Sequence, residues 1–473
     1  MKRTRDLEKE YRHLRVEAER LQGQSLRLRE TIEQLEEEKG RLEKEKERLE
    51  QEKRQLQEQI EQLQRALLRP AAPFRRPEKK KIAPEEKRRP GRKPGHPGSY
   101  RPIPEQVDQR VEVPLEQCPQ CGGSVHDVRA VEQYIEEIPA VRPQVSQIIT
   151  YRGECSRCGK VSSRHPLQTS RAEGAARVQL GPRALSVTAE LNKGLGLTMR
   201  KTCQVLNRLA GLRVTPGGIS QALDRVAGKV EPLHRQLVSE MRQAPSVFVD
   251  ETSWWVGEPG WWLWTFTNPQ TTLFRVEDSR GSAVVLKTLG EKFAGILVSD
   301  CLASYDPLPY RKHKCISHHL KAISQARDRP RRARDPTYLN DWDAFFKTVI
   351  VLYKLAVSGE LQTLEERIRA LESWQHRLLG QVVTHPGDRI IQQRLQKQRP
   401  HLLGCLHDLA AEPTNNRAER ALRPAVIARK LSCGNKTIKG KRTWEILASL
   451  AATARQRNID LVHYLTPHLS LSP

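Results

Sequence analysis

The sequence predicts a multidomain chain in which a coiled coil, a cysteine-bearing metal module and a helical segment precede an α/β domain with a helical insertion. Three observations predict it. Leucine recurs at every seventh position from Leu7 to Leu63, Cys-x-x-Cys pairs stand at Cys118/Cys121 and Cys155/Cys158, and beyond Ser246 apolar runs of strand length alternate with turn residues. At 473 residues the chain is too long for a single core.

Composition bounds the partners. Lys and Arg number 81 against 56 Asp and Glu, and the resulting formal charge of +25 suits a polyanionic partner better than an acidic small molecule. The start, Met1-Lys-Arg-Thr-Arg-Asp-Leu7, lacks the apolar stretch of a signal peptide, and no apolar run is long enough to span a bilayer, so no membrane association and a cytoplasmic location are expected. Nine cysteines, four of them in Cys-x-x-Cys pairs, suit a reducing compartment with metal-bound thiolates rather than a disulfide framework.

Residues 1–68 carry the leucine heptads. With leucine at d, the a positions include Lys39, Lys46 and Lys53. Lysine there favours a two-stranded coiled coil, whose ammonium groups can reach water, and predicts a homodimer or a higher oligomer. A solvated single helix is the other arrangement that such charge-rich sequence can take. Residues 69–104 form a basic linker in which Pro70, Pro73, Pro77, Pro84, Pro90, Pro94 and Pro97 forbid helix. Its Arg89-Pro-Gly-Arg-Lys-Pro-Gly95 is either a solvated tether or a short arm for an AT-rich minor groove.

Residues 105–170 read as a zinc-ribbon-like module. Glycine follows each pair, at Gly122 and Gly159, and permits the tight turn that aims backbone amides at sulfur. Cys118, Cys121, Cys155 and Cys158 are expected to hold a structural Zn²⁺ as four thiolates, with strands at 133–138 and 147–151 between the knuckles. Residues 171–243 read as helical. Thr198 to Gly211, a short turn and Gly217 to Ala227 have the spacing of a helix-turn-helix, which an ordinary helical hairpin shares.

The α/β domain occupies 244–325 and resumes at 411–473, with a helical insertion at 326–410. Val247-Phe-Val-Asp250, a hairpin through Gly257-Glu-Pro-Gly260, Trp261-Trp-Leu-Trp-Thr-Phe266 and Thr272-Leu-Phe-Arg-Val276 are expected strands; a short helix at Val284 and the strand Gly295-Ile-Leu-Val-Ser-Asp300 follow. That order is the order of a ribonuclease-H-like domain, in which Asp250 and Asp300 would be neighbours. Glu419 falls on the first turn of a helix after Asn415-Asn416. Singly, Asp250 could open a turn, Asp300 could cap a helix and Glu419 could close a capping box with Asn416. Jointly they are candidate ligands for two hard cations.

Val249-Asp-Glu-Thr252, Trp261-Trp-Leu-Trp264, Asp300 with Tyr305, Cys315-Ile-Ser-His318, Asn415-Asn-Arg-Ala-Glu-Arg-Ala-Leu-Arg-Pro424 and Arg429-Lys-Leu-Ser-Cys-Gly434 together resemble the DDE transposases of the insertion-sequence-66 family. The leucine-zipper and zinc segments extend that resemblance over nearly the whole chain. Two positions depart from the family pattern: Cys301, where a small residue such as glycine is expected, and the His318-His319 block.

The resemblance implies a bacterial, nucleoid-associated enzyme acting on double-stranded DNA, both transposon terminal repeats and target DNA, with accessory proteins of the same element as possible partners. It implies a catalytic triad of Asp250, Asp300 and Glu419 holding two Mg²⁺ (or Mn²⁺) ions for phosphodiester cleavage and strand transfer. Cys315 and His318 would support that site. Arg423, Arg429, Lys430, Lys436, Lys439 and Arg442 are candidates for holding DNA phosphates, or else form a solvated basic face. The alternative function is a catalytically inactive, zinc-containing dimeric DNA-binding regulator derived from such an enzyme.

Overall fold

The structure, a computed structural model, describes residue 20 and residues 38–51, 101–170, 178–327 and 336–470. The chain divides into two compact units, Met1–Gly91 and Arg92–Pro473. In the first, the described residues are helical and almost wholly exposed. Most of the expected coiled coil, and the linker with its Arg89–Gly95 arm, lie outside the described residues.

The second unit begins with the cysteine module. Strands β1 (Arg152–Cys155) and β2 (Gly159–Ser162) pair antiparallel around the second knuckle. The strands expected at 133–138 and 147–151 do not form, and Ile135, Ile138 and Ile149 stand 90%, 84% and 69% exposed. The sequence alternates as a strand would, but strand preference is largely a preference for a half-buried surface, and here there is no apolar layer to pack against.

Helices α1 (Pro182–Ala189), α2 (Met199–Leu209) and α3 (Pro216–Arg242) follow. The Thr198 and Thr215 hydroxyls accept from the Lys201 and Gly218 amides and so cap α2 and α3, and Pro216 opens α3 where a missing N–H costs nothing. Ile219, Leu223, Val226 and Val230 bury one face of α3.

The central sheet is mixed. Its strands are β3 (Ser246–Val256), β4 (Glu258–Thr267), β5 (Thr272–Glu277), β6 (Ile296–Ser299) and β7 (Arg311–Lys314), in the order β5-β4-β3-β6-β7. The first three form an antiparallel meander, and β6 and β7 extend it in parallel, with α4 (Ser282–Leu289) crossing between β5 and β6. This mixed α/β architecture is compatible with a ribonuclease-H-like domain. The β3–β4 turn is tighter than expected: Gly257 alone separates the strands, at φ 70°, a conformation glycine adopts without penalty, and Gly260 lies inside β4.

Both faces of the sheet are buried. Val247 and Val249 pack with Trp264 and Phe266 on one face, while Phe248 points to the other. There it meets α5 (Ile316–Arg327) and the helices of the 326–410 stretch, α6 (Thr337–Val357), α7 (Leu364–Gly380), α8 (Pro386–Gln398) and α9 (Gly404–His407), in a core that includes Trp342, Phe345 and Phe346. The chain then returns through α10 (Asn416–Ser432), α11 (Ile438–Gln456) and α12 (Leu461–Leu465).

Helix α11 closes the outer edge of the sheet. Side chains one turn apart, Thr453, Ser449 and Glu445, accept from the Thr272, Phe274 and Val276 amides of β5 at 3.1, 2.9 and 2.5 Å. Edge amides that could recruit another strand are thereby satisfied. Among the described residues no helix is long and apolar enough to cross a membrane.

Candidate active site

Strand register brings the first two acids together. In the parallel β3–β6 pair Ser246, Val247 and Phe248 lie opposite Ile296, Leu297 and Val298, so the same register carried two residues further sets Asp250 beside Asp300. Adjacent strands run about 4.8 Å apart. Each carboxylate is steadied locally: Asp250 Oδ1 accepts from the Glu251 amide at 3.0 Å, and Asp300 Oδ1 from the Leu302 amide at 2.9 Å. Asp300 caps no helix, since Leu302 precedes the 3-10 turn that follows and no side chain caps it; its carboxylate instead folds back onto the Leu302 amide.

Glu419 arrives from the other side of the chain. It lies in the first turn of α10, whose start is fixed by Asn415. The Asn415 side-chain amide donates to Val249 O at 2.8 Å, and its backbone N–H donates to Cys315 Sγ at 3.1 Å. Asn415 stands at the cap position of α10 without a side-chain cap bond; its Nδ2 is given to the β3 backbone. Towards the other end of the helix, Arg429 donates to Thr252 Oγ1 at 3.0 Å and Ser253 Oγ at 2.9 Å, a second tie between α10 and β3. At the far end, Cys433 turns left-handed and Gly434 passes so close to Trp255 that a Cβ there would lie 2.6 Å from its carbonyl oxygen.

The three acids form one electrostatic group. Burial, then the charges of Glu251 and Asp300, and finally Glu419, push the Asp250 carboxyl up to about 7. Burial also raises Glu251. Among the described residues no set of three or more His, Cys, Asp or Glu side chains is drawn close enough to enclose a metal ion. The acids are thus neighbours in charge without being closed around a cation. Oxygen donors carrying excess negative charge in a partly dry setting nevertheless suit a hard divalent cation such as Mg²⁺ or Mn²⁺.

Glu251 itself carries no expectation from sequence, where it reads as the polar residue after Asp250. Its side chain is 1% exposed and is held by Arg280 at 2.9 Å and by the Tyr305 hydroxyl. The available signal is the position: a second acid within an otherwise apolar strand, alternating onto the opposite face from Asp250.

Cys315 Sγ accepts the hydrogen bond from the Asn415 amide, and its thiol is raised by burial. His318 lies at the start of α5, one turn after Cys315, with its backbone N–H donating to Cys315 O at 3.2 Å. The departures from the family pattern meet each other: Cys301 Sγ lies 3.5 Å from His319 Nε2, and the His319 ring stacks on Phe346 at 5.2 Å.

The cysteine knuckles are each set up for thiolate. Backbone amides of Gln120 and Cys121 hold the Cys118 thiol below its ordinary value, and those of Arg157 and Cys158 do the same for Cys155. Gly122 and Gly159 take the left-handed conformation, at φ 72° and 71°. The four cysteines are not gathered into one cage.

The basic residues of the C-terminal region divide. Arg423, Lys430 and Lys436 are exposed. Lys439 instead pairs with Asp224 at 2.8 Å and Arg442 with Glu231 at 2.6 Å, tying α11 to α3, while Arg429 holds β3. These partners lie far off in sequence, where no local pattern announces them, and Lys439 and Arg442 remain largely exposed.

Comparison with known proteins adds the family. The family model described as "Transposase IS66 family" matches residues 177–443, more than half of the chain, and that span includes the sheet, the insertion and all three acids. Uncharacterized protein y4qI of Sinorhizobium fredii is 23% identical over 421 residues, covering 81% of this chain and 75% of its own length. Uncharacterized protein y4jD of the same organism is 22% identical over 386 residues, covering 75% and 74% respectively.

Proposed function

The chain belongs to the IS66 transposase family, and from that premise we propose that it binds the ends of an insertion sequence and catalyses phosphodiester cleavage and strand transfer with Asp250, Asp300 and Glu419. The observation that carries this reading is the convergence of β3, β6 and α10, which sets Asp250 beside Asp300 and ties the Glu419 helix to the residue before Asp250.

Asp250, Asp300 and Glu419 would hold two Mg²⁺ or Mn²⁺ ions. When bound, such ions polarise the phosphodiester, lower the pKa of the attacking water or 3′-hydroxyl and neutralise the leaving oxygen. The chain's own part is to keep the three carboxylates aligned, and to hold DNA against them. Arg423 and Lys430 are exposed on the Glu419 helix and Lys436 just beyond it, and all three suit phosphate contacts. Arg429, Lys439 and Arg442 act in this reading by bracing that surface.

The α2–α3 pair serves as a helix-turn-helix for the terminal repeats. A structural Zn²⁺ on Cys118, Cys121, Cys155 and Cys158 would fold residues 105–170, and the heptad segment would pair two chains so that both transposon ends are cut together. The test is incubation of purified full-length protein with the flanking terminal DNA of its own element, in Mg²⁺ and separately in Ca²⁺. Expected are Mg²⁺-dependent 3′-OH ends and their joining to a target duplex. DNA binding without nicking would leave the inactive regulator instead.

A further inference from the structure

We propose that Glu251 and Tyr305 are positioning residues that set the spacing between Asp250 and Asp300, a role that rests on those two carboxylates being the cation-binding pair. The β3–β6 ladder stops at Phe248 and Val298, before either acid is reached, and β6 itself ends at Ser299. Something beyond the ladder must hold the two chain segments in register. The structure supplies a cross-connection there.

Glu251 leaves β3 on the face opposite Asp250 and is buried. Its Oε1 accepts from Arg280 Nε at 3.0 Å and Nη2 at 2.9 Å. Its Oε2 accepts from the Tyr305 hydroxyl. Tyr305 ends the short 3-10 turn Ala303–Tyr305, in the loop whose Leu302 amide holds the Asp300 carboxylate at 2.9 Å. The ring is fully buried, edge-on to Trp264 at 6.1 Å and beneath the Lys314 ammonium at 5.2 Å. Arg280 is fixed in turn over the Trp262 ring at 4.5 Å.

Glu251 and Tyr305 are thus held in a buried setting, and the two ends of this connection lie one residue from Asp250 and within the Asp300 loop. Packing alone does not account for a carboxylate at position 251. A second acid next to Asp250 adds repulsion to a site already rich in negative charge, and an apolar or amide side chain would fill the space at lower electrostatic cost. What the carboxylate provides is two oriented acceptors, one for each flanking element. Groups behind a metal site that orient its ligands typically change cation affinity 10–100-fold when removed.

The experiment uses full-length protein and measures three quantities: Mg²⁺ and Mn²⁺ binding to the DNA-free protein by calorimetry, affinity for terminal DNA, and thermal melting. Tyr305→Phe and Glu251→Leu each delete the strut, whereas Glu251→Gln keeps an acceptor. Expected is a loss of about tenfold or more in cation affinity for the first two, with DNA affinity unchanged and part of the cation affinity recovered in Glu251→Gln. A folded Tyr305→Phe protein that binds cations like the wild type overturns the proposal. Should Tyr305→Phe fail to fold, Glu251→Leu against Glu251→Gln decides, and equal affinities overturn it. Asp250→Asn is the control: if that variant binds cations and nicks DNA normally, the carboxylate assignment has failed rather than the strut.

Discussion

The side-chain amide of Asn415 donates to the carbonyl oxygen of Val249 at 2.8 Å, so the start of the Glu419 helix is fastened to the residue immediately before Asp250. Asn415 is 1% exposed, and water cannot replace that bond. Asn415→Ala is expected to lower stability by about 1–3 kcal/mol, the cost of leaving a buried acceptor unpaired. It should lower cleavage more than stability suggests, because a displacement near 1 Å at a reacting centre can cost about 100-fold in rate. Thermal melting and a single-turnover nicking assay check both. Wild-type nicking in a destabilised variant would show that the tie holds the fold and not the site.

Asp250 gives a pH dependence of definite sign. Its folded-state carboxyl is raised to about 7, above the value of an unfolded aspartate, so its stabilising contribution is complete only below about 4 and is lost as pH rises through 7. Metal-free wild type is therefore expected to melt at least about 2 °C below Asp250→Asn at pH 8. The gap should shrink as pH falls toward 4. Mg²⁺ should raise the wild-type melting temperature and leave the variant where it was, and the variant should bind DNA without cutting it. Superimposable melting curves at pH 8 would remove the carboxylate repulsion from the account.

Much of this is legible in the sequence. An apolar run that ends in Asp is a strand delivering a carboxylate to its end, and the order of strands and helix around Asp250 and Asp300 anticipates the β3–β5 meander and the pairing of β3 with β6, though not the basic edge strand β7. The helix start at Asn416 with Glu419 in its first turn was legible for the same local reason. Partnerships across long sequence separation were not. Asn416 reads as the partner of Glu419 in a capping box, yet it is Asn415 that stands at the cap position, with its side chain bonded to β3; nor does any local pattern announce that Lys439 and Arg442, candidate phosphate ligands, pair with Asp224 and Glu231. The alternation at 133–138 reads as a strand, yet alternation specifies which face would be buried without supplying the layer that buries it.

The knuckle amides predict zinc. Because backbone N–H groups already favour thiolate at Cys118 and Cys155, purified protein is expected to carry one Zn²⁺ per chain, measured by elemental analysis. Cys155→Ser or strong chelation should release it and expose residues 101–170 to protease, since that module has little apolar core to fall back on. Metal-free wild type with unchanged protease resistance would exclude a structural ion there.

His313 predicts the opposite pH limb. Its Nδ1 accepts from the Cys405 amide at 3.3 Å, so Nε2 carries the proton and donates to Pro413 O at 3.1 Å. Burial holds this neutral ring at about 4, below the value of an unfolded histidine. On acidification the unfolded chain takes the proton first, so the stability contribution is complete above about 6.5 and is lost as pH falls toward 4. His234 and His401 are also held at about 4, chiefly by burial, so His313→Leu should flatten the acid limb in part rather than abolish it. At neutral pH the same change should cost about 1–3 kcal/mol, because the Cys405 amide loses its acceptor. Pro413 lies two residues before Asn415, so slower nicking is expected as well. Melting temperatures of both proteins between pH 4.5 and 7.5 decide the matter; parallel curves would mean that His313 does not titrate with unfolding.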